Sequence, residues 1–364
     1  MTEEHSPMPS ARPTETADAV QQTHQLSFEH LAGDHRRLLD RAIAAVLATN
    51  VAELTYAQIV DGHPIEAPRH KPANPDYRPP TLPFPIPPAH TELCPGILEK
   101  VHEFRRQFSP DILMFDSKLL SEYCACNPGS RRFKMCLMEL VALAVHQIAV
   151  ILFELDTSVH KNDPKPLLPP KSNQSYWMMY PDGPPPTLFY HRWYQDHDQY
   201  PRGISDMVGY WAEAQILGGV VLFDRRDPDT EPAADPDAVY FHSCRKGVTY
   251  RIYQLLPEQR KALLDFLLTD EPLSASPLPI LGDAKNRIRV DPQEPIRETG
   301  IYRNLWEQKD YVPRSRNEGI SCVRNDLDFP TSGDELEGRR RASLRNRKHL
   351  LEMRARRRAR RSDP

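Results

Sequence analysis

The richest chemistry in this chain lies between Phe189 and Glu213. Phe189-Tyr190-His191-Arg192-Trp193-Tyr194-Gln195-Asp196-His197-Asp198 is followed after a proline by Asp206-Met207-Val208-Gly209-Tyr210-Trp211-Ala212-Glu213. Imidazoles and carboxylates set among aromatic rings suit general acid–base work on a polar ligand. In that reading His191, His197, Asp206 and Glu213 are the candidate acids and bases, with Trp193, Tyr210 and Trp211 as ring walls. The competing reading is an aromatic layer whose rings pack inward and whose polar tips hydrogen-bond. The second is preferred. The alternation of Tyr190 and Arg192 with His191 and Trp193 suggests a strand, which would leave only one face free for a site.

Metal chemistry is not expected, and no cofactor is implied. His191 and His197 lack a standard ligand spacing. Cys124, Cys126, Cys136 and His146 could be drawn as a zinc set, but the last two fall on an apolar run where a cysteine is ordinarily a small buried hydrophobe. The sequence has no G-x-S-x-G elbow, Walker loop, G-x-G-x-x-G turn or H-E-x-x-H helix. Gly218-Gly219 instead reads as a bend entering a strand. The protein is therefore expected to bind rather than to catalyse.

The aromatic block, continued by Ile216-Leu217-Gly218-Gly219-Val220-Val221-Leu222-Phe223-Asp224-Arg225, resembles a family of filamentous-fungal proteins of unknown function. The likeness spans roughly residues 96–270. It implies a fungal origin and carries no activity, cofactor or catalytic residue.

A second kind of chemistry sits at the other end. The last 26 residues hold twelve of the chain's 47 Lys and Arg and two of its 50 Asp and Glu. The tail is thus about +10 and the body about −13, an asymmetry typical of an electrostatic address. Its two clusters are Arg339, Arg340, Arg341, Arg345, Arg347 and Lys348, then Arg354, Arg356, Arg357, Arg358, Arg360 and Arg361. They resemble a nuclear-import signal, so an import receptor is the expected partner and the nucleus, with the cytoplasm, the expected location. Nucleic acid is a possible but less favoured partner, because the acidic body repels phosphate. Ser343, preceded by Arg340-Arg341-Ala342, is a weak phosphorylation candidate that could mask the address. A protein partner for the body remains open. A small-molecule enzyme or accessory protein of fungal specialised metabolism, with its site at 189–213, is the alternative.

These groups need a scaffold. The 37 prolines among 364 residues, about double the usual ~5%, cluster at 64–95 and 164–186 and can join neither helices nor central strands. Residues 1–27 read as a disordered terminus, 28–62 as a helical segment, 63–95 as a proline-rich connector, 96–270 as the core, 271–338 as an irregular strap and 339–364 as the basic tail. Within the core, Asn127-Pro128 opens a long helix reaching Leu155, apolar nearly all round and hence central. Its charge-free stretch, Leu140–Phe153, is too short to span a bilayer, so no membrane is expected. Nor is a secretory signal, because the N-terminus has no apolar run. Leu188–Tyr190, Gly219–Phe223 and a 239–253 hairpin read as strands, and Leu256-Pro257-Glu258 opens a closing helix. The fold class is α+β: N-terminal helices with a long central helix, then a small antiparallel sheet closed by a C-terminal helix.

Overall fold

The computed structural model describes residues 24–65, 90–161, 163, 170–173, 177, 183–245, 249–270, 275–312, 323 and 327–362, with side chains as far as Ala355. Residues 1–23 of the expected disordered terminus, 66–89 of the connector, most of the second proline stretch and the 246–248 turn of the hairpin lie outside them.

The architecture is α+β. A short strand, β1 (Gln25–Ser27), precedes α1 (Gly33–Leu47) and α2 (Asn50–Asp61). After the connector come α3 (Ile97–Gln107), β2 (Met114–Asp116), α4 (Ser117–Ala125) and α5 (Arg131–Glu154). The strands β1 and β2 pair antiparallel as a small separate ribbon. Then follow α6 (Ile204–Ile216), β3 (Val220–Asp224), β4 (Val239–His242), β5 (Ile252–Gln254) and α7 (Pro257–Leu268). The chain ends in β6 (Arg289–Val290), the short α8 (Ile296–Thr299), β7 (Ile301–Tyr302) and α9 (Ser332–Ser362). The main sheet has the order β6-β5-β4-β3-β7, antiparallel throughout. Its edge strands come from the segment expected to be an irregular strap, so residues near 290 and 301 complete the sheet.

Helix α5 is the axis of the core, with Leu137, Leu140, Ala144 and Ile148 fully buried. It packs most extensively against α6, and α1, α2 and α4 cover its other faces. It is longer than its charge-free stretch and is apolar enough to cross a membrane, but 78% of that window is buried inside the protein. Its start also differs from expectation. Gly129 takes φ +83, which interrupts any helix begun at Pro128, and the Ser130 side chain caps α5 by accepting from Phe133 N. The Thr49 side chain caps α2 by accepting from Ala52 N.

Two further corrections concern the aromatic block. Residues 188–190 form no strand. The chain instead turns tightly, with Tyr194 N donating to His191 O at 3.0 Å, and only the His191–Tyr194 bridge survives. The two-faced strand therefore does not exist. Residues 206–213, given no regular structure from sequence, lie on α6.

Gly218 shows why a glycine opens β3. Its φ is +113, and a Cβ there would overlap the Ile280 carbonyl, whose residue is pinned by Ile280 N donating to Leu217 O at 2.8 Å. Gly218→Ala is expected to lower stability by about 2 kcal/mol, to be measured by urea denaturation. A loss within experimental error would show that the bend relaxes freely.

Candidate functional site

The face of α6 that meets α5 carries Asp206, Tyr210 and Glu213 at i, i+4 and i+7, which a helix places in one row. Opposite them α5 presents Glu139 and His146, also seven residues apart. Gly209 permits the close approach, because a Cβ there would run into the His146 ring. His146 Nε2 lies 3.0 Å from Asp206 Oδ1 and its Nδ1 lies 3.8 Å from Glu213 Oε2.

The segment after β7 completes the set. Arg303 Nη1 donates to both Glu213 oxygens, at 2.9 and 3.1 Å, and its Nε donates to Glu307 Oε1 at 2.9 Å. Glu213 Oε1 also accepts from Val221 N at 2.7 Å, which ties the helix to the sheet. Arg202 N donates to Asp206 Oδ2, and Tyr200 OH to the Glu307 carbonyl. On the far side Arg225 reaches Glu139 at 2.5 Å. Glu213, Arg303 and Glu307 are at most 3% exposed.

The electrostatics follow from this geometry. Burial works to lower the Arg303 pKa, but Glu213 and Glu307 hold it well above the ordinary value. Burial raises Glu139 despite the opposing pull of Arg225. For His146, burial works downward, yet the bond to Asp206 and the nearby Glu213 carboxylate leave the imidazole above its ordinary pKa. Each carboxylate here faces a cation or a backbone N–H.

A second polar pair sits beside it. His191, fully buried, donates from Nε2 to His242 O at 3.0 Å and accepts at Nδ1 from Trp193 N at 3.2 Å. Both ring nitrogens are committed, which fixes a neutral tautomer. Burial pushes its pKa down to about 4 despite the raising effect of these backbone bonds. Tyr194 stacks on Tyr210 at 4.4 Å between ring centroids, joining the two groups.

The structure thus gathers Asp206, Tyr210 and Glu213 into one buried network and sets His191 next to it. His197 is exposed and apart. Trp211 packs edge-on to Phe189 at 4.8 Å, and Trp193 is half-buried near His242. Asp196 and Asp198 clasp Lys309, with Nζ 2.7 Å from Asp198 Oδ1. Two surface grooves are described, one of about 460 Å³ between Arg289–Glu298 and α9, the other of about 380 Å³ beside the start of α2. Neither is lined by the aromatic block. Sequence reasoning missed Arg303, Glu307, Glu139 and His242 as members of the buried layer. Only the Asp206–Tyr210–Glu213 spacing signalled a helical face.

The basic tail divides in two. Thr331 caps α9 reciprocally with Asp334, the Thr331 Oγ1 accepting from Asp334 N and Asp334 Oδ2 accepting from Thr331 N. Gly338, Ala342 and Asn346, four residues apart, form the buried stripe by which the helix lies on the body. Around that stripe Arg345 reaches Glu294 at 2.7 Å, Lys348 reaches Glu298 at 3.0 Å and Arg341 lies 3.6 Å from Asp291. Arg339 and Arg340 pair with Glu335 and Glu337 on the helix itself. Ser343 faces outward and is exposed, as is Arg354. The side chains of Arg356, Arg357, Arg358, Arg360 and Arg361 lie outside the described residues.

Among the described residues, histidine, cysteine and carboxylate groups converge closely enough for a metal ion at Asp61, His90, Cys94 and His160, with His63 and Asp163 adjoining. The Cys124, Cys126, Cys136 and His146 set is not among those groups. Comparisons with protein-family models, curated proteins and solved structures found no match. The reading of function therefore rests on the residues themselves.

Proposed function

We propose that this is a non-catalytic, intracellular binding protein whose C-terminal helix presents a cationic address, read in the first instance by a nuclear-import receptor. The observation that carries this is the division of α9. Five of the six cations of its first cluster pair with the acidic body or with neighbouring glutamates, while the helix continues past Lys348 to a second run of six arginines.

Spacing within that second run supports recognition as an extended string. Arg354 with Arg358, Arg356 with Arg360, and Arg357 with Arg361 stand at i and i+4, and like charges so placed each cost a helix roughly 0.2–0.5 kcal/mol. Cations near a helix C-terminus recover part of this through the macrodipole. The last turns can therefore unwind at little cost. The first cluster is held by ion pairs, worth about 0–1 kcal/mol each where exposed, by Arg345 lying over the Tyr311 ring and by its small-residue stripe. An outward Ser343 would then accept a phosphate beside both clusters, adding nearly −2 charges where the receptor must bind.

The binding reading for the body draws on the aromatic block. Asp206, Glu213, Arg303 and Glu307 pair within it, while His146 Nδ1, Tyr194 OH and both His242 ring nitrogens have no hydrogen-bond partner among the described residues, and neither groove reaches them. Neither of these two grooves gives the small-molecule enzyme alternative an opening at the aromatic block.

Cellular location tests the proposal. Removing everything after residue 338 would also remove the Ala342–Asn346 dock, so the informative variants are a stop after His349 and an Arg→Gln exchange at 354, 356, 357, 358, 360 and 361. Full-length tagged protein is expected in the nucleus and both variants in the cytoplasm. An unchanged distribution in both would sink the address. Nuclear retention lost only together with salt-sensitive nucleic-acid binding would favour phosphate contact instead.

A further inference from the structure

We infer that Asp61, His90, Cys94 and His160 form a structural zinc site that staples the ends of the proline-rich connector to the helical core. Four potential ligand atoms, two imidazole nitrogens, one thiol sulfur and one carboxylate oxygen, lie within 4.8 Å of one another. A tetrahedral zinc ion with bonds of 2.0–2.3 Å needs its ligand atoms roughly 3.3–3.7 Å apart. Cys94 Sγ is 3.3 Å from His160 Nε2, and His160 Nε2 is 3.8 Å from Asp61 Oδ1. His90 Nε2 is closer to the carboxylate, 2.5 Å from Asp61 Oδ2, and coordination replaces the proton those two atoms share.

Two independent features point to an ion. Asp61 is fully buried, yet its Oδ1 has no hydrogen-bond partner among the described residues. A buried carboxylate oxygen left bare is costly, and a cation removes that cost. The second feature is the hold on His160. Asp163 Oδ2 sits 2.6 Å from His160 Nδ1, which makes Nδ1 the protonated nitrogen and turns the Nε2 lone pair toward Cys94 and Asp61. A carboxylate bonded to the far nitrogen is the usual support of a metal-bound histidine.

The backbone is arranged to keep these groups together. Asp61 ends α2, and Gly62 follows with φ +104, where a Cβ would run into Ser158 Oγ. Ser158 Oγ donates to the Asp61 carbonyl at 2.8 Å and accepts from His160 N at 3.1 Å. Cys94 N donates to Asp61 Oδ2 at 3.3 Å. The site thus joins the end of α2, the chain just after residue 89 and the turn after α5. Mixed nitrogen, sulfur and oxygen donors suit Zn²⁺, whereas Ca²⁺ and Mg²⁺ take oxygen alone. Four protein ligands close the coordination sphere, which is the mark of a structural rather than a catalytic ion.

The test uses the full-length protein. Purified without chelator, it is expected to carry about one zinc per chain by mass spectrometry of the metal. Stripped and titrated with Co²⁺, it should give the visible absorption of a tetrahedral ion with a thiolate charge-transfer band in the near ultraviolet. Cys94→Ala should abolish that band, and Cys124→Ala should leave it intact. Asp163→Asn, a change at an exposed carboxylate that should not disturb folding, is expected to weaken Zn²⁺ binding by about 10–100-fold. Chelation should lower the melting temperature of the wild type but not of Cys94→Ala. Absence of Co²⁺ absorption in the folded wild type, a thiolate band that survives Cys94→Ala, or undiminished affinity in Asp163→Asn would each overturn the assignment.

Discussion

Replacing Arg303 with methionine is expected to cost about 3–5 kcal/mol of unfolding free energy, the penalty for leaving buried charges without their partner. Arg303 is 3% exposed and is the cation shared by Glu213 and Glu307. Methionine fills similar space, so the loss isolates the ion pairing from the packing. Two carboxylates would then face each other in a dry interior, and one would have to take up a proton or drag water in. Arg303→Lys should fall between, because an ammonium keeps the charge but cannot donate through a fork to both acids. Arg37→Ala, at an exposed pair with Asp34, should change stability by less than about 0.5 kcal/mol. Urea denaturation with a common slope measures all three. A stable Arg303→Met protein that had lost a binding activity would make this cluster a site and refute the structural reading.

The helical half of the fold was legible in the sequence because its signals are local. The apolar stripe of α1, the all-round apolar face of α5 and the Leu256-Pro257-Glu258 start of α7 each follow from spacing within one segment. The sheet was legible only in part. β3, β4 and β5 are announced by β-branched and aromatic runs, but β6 and β7 are two residues each and gain their conformation from the partner strand. No periodicity can appear in two residues.

The buried network was hidden for a related reason. Glu213 and Arg303 are 90 positions apart, and nothing in either neighbourhood marks them as partners. In the sequence a buried glutamate and a surface glutamate look alike, and only the folded contacts reveal which acid meets which cation. The Asp61, His90, Cys94 and His160 group was missed because its members come from three separated segments, with only the His90–Cys94 spacing local.

Stability is expected to fall steeply as the pH is lowered from about 6.5 toward 4, and the two buried imidazoles His191 and His242 are the cause. Burial holds His191 near pKa 4, and burial together with His191 holds His242 well below the ordinary value. An unfolded chain restores both to roughly 6.5. Between those values the unfolded state binds more protons than the folded one, so acid favours unfolding. At ~1.4 kcal/mol per unit, His191 alone removes about 3 kcal/mol over that window. His146 works in the opposite sense. Its folded pKa is raised, so its contribution is complete below about 6.5 and disappears as the pH rises through the folded value. It adds no slope below about 6.5, so the two depressed imidazoles set a positive slope there. Urea denaturation of the wild type and of His242→Leu, at steps from pH 7.5 to 4.5, reads the difference. The variant should lose about one proton's worth of slope, ~1.4 kcal/mol per pH unit, whatever its stability at neutral pH. Identical slopes in the two proteins would mean that His242 takes up its proton while folded. The layer around Tyr194 and Trp193 would then be open to water, and a wet, titrating imidazole among aromatic rings would again be a place to look for a ligand.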